Sequence, residues 1–265
     1  MAEKGLDTIT WLDVNSWKFN LAGHCILVDP WLVGDLVFGN ASWLIRGIRP
    51  EPVAIPDRID LLLLSQGLAD HAHPETLDVL DKSIPVVAST AGAKVAKDKG
   101  FTDVVALEPG QSHRLGDDVL IEALPGAPVG PLAKENAYIL TVPSTGLRIY
   151  YEPHGYPDPD LEQHPPVDIA ITPLVSLTLP VLGPVIRGGE GALELAQKAS
   201  PQWLLPTADG GDVTYEGLIA KFLTATGGVD AVQAQLAQAN LSTVVKALRP
   251  METLTLDLQP RTVAA

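Results

Sequence analysis

The sequence predicts a mixed α/β (α+β) fold made of many short strands and few helices. Strand-like and helix-like segments alternate along the 265 residues, and glycine and proline number 23 each, which divides the chain into short pieces. Neither a linker-like run nor a repeat of fixed period interrupts this pattern. We therefore interpret residues 1–265 as a single domain, a size that gives a sizeable core.

Three short strands begin the chain. Apolar runs at 8–12, 17–21 and 24–29 are separated by turn-forming pairs, and they predict an antiparallel meander. The following segment, 30–48, is apolar and aromatic, but its glycines and uneven spacing fit neither a regular strand nor a regular helix. We expect an ordered loop there.

A strand covered on both faces and a helix come next. The run at 59–64 is almost entirely leucine, as in a buried parallel strand. Pro74 and Glu75 are typical of a helix start. The same criteria predict strands at 84–88, 103–107, 119–124, 137–142, 147–151, 167–171, 203–205 and 253–258, and helices at 90–99, 190–199, 214–225 and 229–239.

Charge disfavours two classes of partner. The chain carries 18 basic and 32 acidic residues, a net charge of −14, which repels nucleic acid and anionic membrane surfaces.

Two further features concern the compartment. An acidic residue stands where a signal peptide needs positive charge. The one cysteine, Cys25, cannot form an internal disulfide, and we interpret it as a core residue. We therefore expect a cytoplasmic protein.

One uncharged stretch, 169–186, is long enough to cross a membrane. Pro173, Pro180 and Pro184 would break a continuous helix there. We predict no transmembrane segment, but a buried strand followed by an apolar loop.

The segment between the buried strand and the helix at Pro74 is the candidate chemical site. Asp70, His71 and His73 lie within four residues, and all three are possible metal ligands. The structural alternative is that Asp70 and His73 cap the helix while His71 is hydrogen-bonded nearby. The residues alone leave both interpretations open.

These motifs follow one another along the chain in an order that is known from a protein superfamily. Along the chain come a strand ending in Asp29-Pro30-Trp31, the buried strand 59–64, Asp70-His71, Pro74, the strand 147–151 followed by Glu152-Pro153-His154-Gly155, and Trp203 with its strand. This order resembles the metallo-β-lactamase superfamily, especially its ascorbate-6-phosphate lactonase-like metal-dependent hydrolases. The resemblance implies a four-layer αββα sandwich, in which two sheets pack face to face between outer helices.

The same resemblance implies a centre of two metal ions, and most of its ligands are missing. Asp70 and His71 match the family's His-x-His-x-Asp-His loop, but Gln66 and Leu68 occupy its first two histidine positions. The segment 125–128, where the family has its third histidine, contains none.

Two further family positions have also lost their ligands. Pro153 aligns with the bridging aspartate, and Ala208 aligns with the last histidine. Because a catalytic zinc takes three or more protein ligands, Asp70 and His71 cannot hold one by themselves. We expect the dinuclear centre to be absent and the protein to have no metal cofactor.

Neighbouring residues offer an alternative. His73 is two residues beyond His71, His154 follows Pro153, and Asp209 follows Ala208. Asp70, His71 and His154 would then hold one zinc, manganese or iron ion. Asp29 resembles the family's aspartate that orients a metal-binding histidine, and turn formation is its other possible role. Ser65 has no recognisable Asp and His partners for a serine triad.

The resemblance places two apolar segments, 30–48 and 172–186, beside the cleft that holds the active site in the family. Their large side chains either pack on one another or bind a ligand; they are Trp31, Phe38, Trp43, Leu177, Leu179, Val181 and Leu182. Our leading hypothesis is a non-catalytic protein that binds an apolar or amphipathic small molecule, or a protein partner, in this cleft. The alternative is an active hydrolase of a lactone or phosphoester with a rebuilt site of one metal.

Overall fold

The structure is a computed structural model that describes residues 6–39, 41–129, 133–180 and 183–258. The strands of this part are β1 (Thr8–Trp11), β2 (Trp17–Leu21), β3 (His24–Val28), β4 (Leu36–Val37), β5 (Arg46–Ile48), β6 (Leu61–Leu64), β7 (Val86–Ala88), β8 (Val104–Ala106), β9 (Ser112–Leu115), β10 (Val119–Val129), β11 (Ala133–Val142), β12 (Leu147–Tyr151), β13 (Ile169–Thr172), β14 (Val175–Leu179), β15 (Gly183–Ile186), β16 (Trp203–Pro206), β17 (Thr214–Glu216), β18 (Thr224–Gly227), β19 (Val244–Val245) and β20 (Thr253–Thr255). The α-helices are α1 (Pro74–Val79), α2 (Thr90–Asp98), α3 (Gly189–Ala199) and α4 (Val229–Gln238).

Two seven-stranded sheets form the centre of the fold. The first has the order β20-β1-β2-β3-β6-β7-β8, and the second has the order β19-β16-β13-β12-β11-β10-β9. In the first sheet the antiparallel meander β1-β2-β3 is confirmed, and β6 joins β3 in parallel. In the second sheet β13 and β16 extend β12 in parallel.

The main core lies between these two sheets. Trp17 and Phe19 of the first sheet belong to one buried cluster with Tyr138, Ile149 and Tyr151 of the second. Each of these five side chains is completely buried, so burial of large apolar side chains holds the sheets face to face.

Helices cover the outer faces of both sheets. Leu62 and Leu64 of β6 pack with Leu77 of α1, whereas Leu61 and Leu63 face the core between the sheets. This alternation confirms that the leucine run is covered on both faces. On the second sheet, α3 and α4 form the corresponding outer layer. The αββα sandwich expected from the resemblance is therefore confirmed.

Two small sheets lie outside the sandwich and correct three predictions. The segments 30–48 and 172–186, expected as loops, contain the strands β4, β5, β14 and β15, and the expected helix at 214–225 is replaced by β17, a 3-10 turn and β18. β17 pairs with β5, and β18 pairs with β14. These partners are distant in sequence, so local periodicity could not reveal the pairing.

The carboxyl ends of several strands bring the candidate residues to one edge of the sandwich. Asp29 follows β3, the loop with Asp70 follows β6, His154 follows β12 and Asp209 follows β16. Loops at such strand ends commonly carry functional side chains. No helix within the described ranges is long and apolar enough to cross a lipid bilayer.

Candidate metal centre and adjoining pocket

Asp29 forms a buried hub at the end of β3. Its backbone has a φ of 42°, a left-handed conformation that aspartate tolerates better than most residues. Its carboxylate accepts hydrogen bonds from the Ser65 amide and the Tyr151 hydroxyl, each at 2.7 Å, and lies 2.7 Å from Nδ1 of His71. Asp29 therefore orients His71, as the resemblance implied, and is more than a turn residue.

Ser65 does have Asp and His neighbours, contrary to the sequence prediction. Its hydroxyl donates to Asp29, and its Oγ lies 3.2 Å from Nδ1 of His71. The residue is 1% exposed. Since its hydroxyl is bonded to a buried carboxylate and is closed to solvent, this contact supports the position of His71 and presents no nucleophile to a substrate.

His71 lies between two carboxylates. Its Nε2 is 3.1 Å from Oδ2 of Asp70, on the opposite side of the ring from Asp29. Burial alone would lower the pKa of His71, but the carboxylates of Asp70 and Asp29 raise it well above its usual value. Burial would raise the pKa of Asp70, but the adjacent His71 lowers it. The prediction that Asp70 caps the helix is therefore wrong, because its carboxylate faces His71.

His154 has a carboxylate partner of its own. Oε2 of Glu135, a buried residue of β11, lies 2.9 Å from Nδ1 of His154. The opposite ring nitrogen, Nε2, lies 3.2 Å from the amide nitrogen of Gln66. Burial would lower the pKa of His154, but Glu135 raises it.

A tight turn after β12 directs His154 to the site. The buried carboxylate of Glu152 accepts hydrogen bonds from the backbone amides of His154, Gly155 and Tyr156 at 3.1, 2.6 and 2.8 Å. Gly155 has a φ of 79°, and a Cβ there would lie 1.5 Å from the backbone oxygen of Arg187. Only glycine fits this turn, so the turn is fixed by residues on both sides of His154.

Asp70, His71 and His154 converge. One ligand atom from each lies within 4.8 Å of the other two, and the rings of His71 and His154 are 5.0 Å apart between centroids. Buried oxygen atoms of Asp70, Asn15 and Gln66 have no hydrogen-bond partner. Unpaired buried acceptors are costly unless a cation or a donor satisfies them.

These residues fit one metal ion. Two histidines and one carboxylate are a donor set that zinc, manganese and iron accept in proteins. Each histidine also has a buried carboxylate at its Nδ1, the arrangement that commonly supports metal-binding imidazoles.

His73 has a structural role away from this cluster. Its Nδ1 accepts the amide hydrogen of Thr76, so it caps α1, and its ring lies beside that of Trp31. The capping prediction is therefore confirmed for His73. The proximity of His73 to His71 in sequence made it a candidate for the cleft as well, but it does not line the pocket described next.

A pocket of about 580 Å³ adjoins the cluster. Asp70 and His154 contribute to its lining, together with Asn15, Leu68 and Asp209. The apolar part of the lining comes mainly from the two small sheets and the adjoining 3-10 turn: Leu36, Phe38, Ile45, Val175, Leu177, Leu179, Val185, Ile186, Val213, Ile219, Ala220, Leu223 and Ala225. Both segments expected beside the cleft therefore contribute to it.

The remaining predicted residues divide between the pocket and its surroundings. Ala208 lines the pocket, whereas Gln66 and Pro153 are buried outside the lining. Trp31 is buried, and Trp43 is 69% exposed; neither lines the pocket. The other two residues of the apolar set, at positions 181 and 182, lie outside the described residues.

Asp209 is a half-buried acid on the pocket wall. Burial raises its pKa from 3.8 to about 6. It is not part of the converging group of Asp70, His71 and His154.

Sequence reasoning missed Glu135, Glu152 and Asn15. Glu135 stands two residues before the apolar run of β11, and an acid on such a strand is a signal that could have indicated a buried partner. Glu152 is adjacent to Pro153, and its sequence position alone gives no sign of its hydrogen bonds to the turn. Asn15 lies in a turn, where its residue type indicates only local structure.

Comparisons with known proteins agree with this architecture. A family described as a beta-lactamase superfamily domain matches residues 8–208. The chain therefore belongs to the metallo-β-lactamase-fold superfamily. No curated protein sequence matches it significantly.

Several solved structures share the fold. Igni18, a metallo hydrolase from the archaeon Ignicoccus hospitalis, has 14% identity and a TM-score of 0.67, with 96% of this chain and all of that chain covered. A metal-dependent hydrolase from Parabacteroides distasonis, itself described as putative, has 21% identity and a TM-score of 0.61, with 93% and 94% covered. An isothiocyanate hydrolase from Delia radicum gut bacteria has 15% identity and a TM-score of 0.66, with 94% and 98% covered. At these identities the likeness concerns the fold.

Proposed function

We propose that this protein is a metal-dependent hydrolase that holds one ion, of zinc, manganese or iron, with Asp70, His71 and His154. The observation that carries the proposal is the convergence of their ligand atoms within 4.8 Å, with Asp29 and Glu135 at the far nitrogens of the two histidines. Leu68, Pro153 and Ala208 offer no side-chain ligand for the second ion of the family. The site is therefore mononuclear.

Each residue has a distinct task in this proposal. Asp29 is hydrogen-bonded to Nδ1 of His71, and Glu135 lies beside Nδ1 of His154 as its ion-pair partner. Each carboxylate favours the proton at Nδ1, which leaves the lone pair for the ion at Nε2. A bound ion supplies Lewis-acid polarisation of the scissile group and lowers the pKa of a water molecule. Asn15 and Gln66 have unpaired amide oxygens near the cluster, and these can orient water by hydrogen bonds.

The direct test is a metal titration of the full chain. The protein is stripped with a chelator, and binding of zinc, manganese and ferrous iron is measured by calorimetry, with metal content determined by elemental analysis. We expect one equivalent, and its loss in His154→Ala. His164→Ala is the matched control, because His164 lies outside the cluster.

Two outcomes contradict the proposal. Binding of two equivalents would indicate a second centre built from other residues. No binding, with a correctly folded protein, would mean that the cluster is only structural.

A second candidate function remains, and the pocket favours it. A non-catalytic protein could use this largely apolar pocket to bind an apolar or amphipathic molecule, or a protein partner, without any metal. Absence of metal uptake together with retained ligand binding would support this candidate over the first. We infer a cytoplasmic location for either function, because a chain with a single cysteine suits a reducing compartment.

A further inference from the structure

Two buried carboxamides cover the histidine nitrogens that are proposed to bind the ion. The amide nitrogen of Asn15 lies 3.3 Å from Nε2 of His71, and the amide nitrogen of Gln66 lies 3.2 Å from Nε2 of His154. Asn15 is 3% exposed, and Gln66 is 2% exposed. The two halves of the cluster are therefore built alike, with a carboxylate at one nitrogen of each ring and a carboxamide at the other.

The oxygen atoms of both carboxamides are unsatisfied. Oδ1 of Asn15 and Oε1 of Gln66 are buried and have no hydrogen-bond partner among the described residues. The oxygen and nitrogen of a carboxamide exchange places when the group makes half a turn about its last side-chain bond. Such a rotation places each oxygen beside the histidine nitrogen that is proposed to bind the ion.

The separations fit two donors on one ion. Ligand atoms that are each about 2.1 Å from an ion are about 3.0 Å apart at a right angle and about 3.4 Å apart at a tetrahedral angle. The carboxamide positions, at 3.3 and 3.2 Å from the histidine nitrogens, lie in this interval. Oδ2 of Asp70 lies 3.1 Å from Nε2 of His71. The carboxamides thus have nearly the same spacing as the proposed carboxylate ligand.

The turn that carries Asn15 is strained and firmly held. Asp13 and Val14 have φ values of 86° and 50°, a left-handed conformation that is unfavourable for a β-branched residue such as valine. The carboxylate of Asp13 accepts hydrogen bonds from the amides of Val14, Gly211 and Asp212 at 2.8, 2.8 and 2.9 Å. Strain of this kind persists where the surrounding structure fixes it, and it is concentrated at functional sites. The turn therefore holds Asn15 at the cluster against an unfavourable backbone conformation.

We propose that Asn15 and Gln66 are ligands of the ion through their side-chain oxygens, so that the chain supplies two nitrogen and three oxygen donors. This inference rests on the proposed function and goes beyond the orientation of water that the same oxygens could provide. Carbonyl and carboxylate oxygens suit manganese, whereas zinc in proteins usually takes four ligands in all. We therefore expect the two carboxamides to raise the affinity for manganese more than the affinity for zinc.

Leucine substitutions measure the contribution of the two oxygens. Asn15→Leu and Gln66→Leu keep the approximate size of each side chain and remove its donors, and the metal-stripped full chain is titrated with manganese and with zinc by calorimetry. We expect each variant to lower manganese affinity at least about tenfold and zinc affinity less than about threefold. The controls are Asn20→Leu, on β2, and Gln238→Leu, at the exposed end of α4. Both controls should leave the two affinities unchanged.

The wild-type protein gives an independent readout. Its side-chain carbonyl carbons are labelled with carbon-13 and followed by NMR while cadmium is added, a diamagnetic ion that accepts more than four donors. We expect the signals of Asn15 and Gln66 to move downfield, because ligation polarises the carbonyl bond, and those of Asn20 and Gln238 to stay in place. Unmoved signals of Asn15 and Gln66 would overturn the inference. This measurement decides it even if a leucine variant does not fold.

The outcomes separate this inference from the proposed function. If the wild type takes up one equivalent and the leucine variants bind both ions as tightly, the carboxamides are not ligands, and the inference fails while the metal site stands. Equal losses for the two ions would overturn the preference for manganese. If the folded wild type binds no metal at all, both proposals fail.

Discussion

The carboxylate of Glu135 lies 2.9 Å from Nδ1 of His154. Asp29 lies at the corresponding nitrogen of His71, to which it is hydrogen-bonded at 2.7 Å. The two carboxylates come from different sheets of the sandwich, Asp29 after β3 and Glu135 on β11. The centre therefore depends on how the sheets pack together.

Glu135 offers a test of metal affinity that leaves all three proposed ligands in place. We expect Glu135→Gln to lower affinity about 10- to 100-fold, the usual effect of losing a carboxylate behind a metal-binding histidine. Glu108→Gln, an exposed position, is the control. Calorimetric titration measures both, and equal affinities would show that Glu135 does not support the centre.

Asp29 is expected to be important for stability with or without metal. Asp29→Ala removes the acceptor of the Ser65 and Tyr151 hydrogen bonds and leaves His71 with one fewer carboxylate. Breaking such a buried ion pair costs about 3–5 kcal/mol of unfolding free energy. Urea unfolding of metal-free protein checks this. Asp57→Ala, at the surface, should change little, and an unaltered midpoint for Asp29→Ala would contradict the buried hub.

His73 provides a test of the corrected helix cap. His73→Ala removes the acceptor for the Thr76 amide at the start of α1, and loss of a cap costs about 1 kcal/mol. His73→Asn should recover part of the loss, since asparagine is a good capping residue. Thermal unfolding measures the series. If alanine and asparagine destabilise equally, the effect comes from packing against Trp31.

The raised pKa of Asp209 predicts that the stability of the metal-free protein depends on pH. Its folded pKa of about 6 exceeds the ordinary 3.8 because burial disfavours the charged form. Its stabilising contribution is therefore complete below about pH 4 and is lost as the pH rises through about 6. Asp209→Asn removes this titration, so its melting temperature relative to wild type should rise across that interval. A difference that is constant with pH would be contrary to this prediction.

Most of the fold could be predicted from local sequence patterns, whereas the site could be predicted only in part. The leucine run of β6 and the proline at the start of α1 identify their elements because the evidence lies within each segment. The helix expected at 214–225 fails because β17 and β18 are set by pairing with distant strands. His154 could be named from its place after Pro153, but Glu135 could not be linked to it without the packing of β11.

The walls of the pocket come from segments inserted between elements of the sandwich. β4 and β5 lie between β3 and β6, β14 and β15 lie between β13 and α3, and β17 and β18 lie between β16 and α4. Most of their side chains stand apart from the clusters that join the two large sheets and their helices. The pocket walls and the central sandwich are thus encoded in separate stretches of the chain. Substitutions on the pocket walls therefore leave most of the side chains that join the two large sheets untouched.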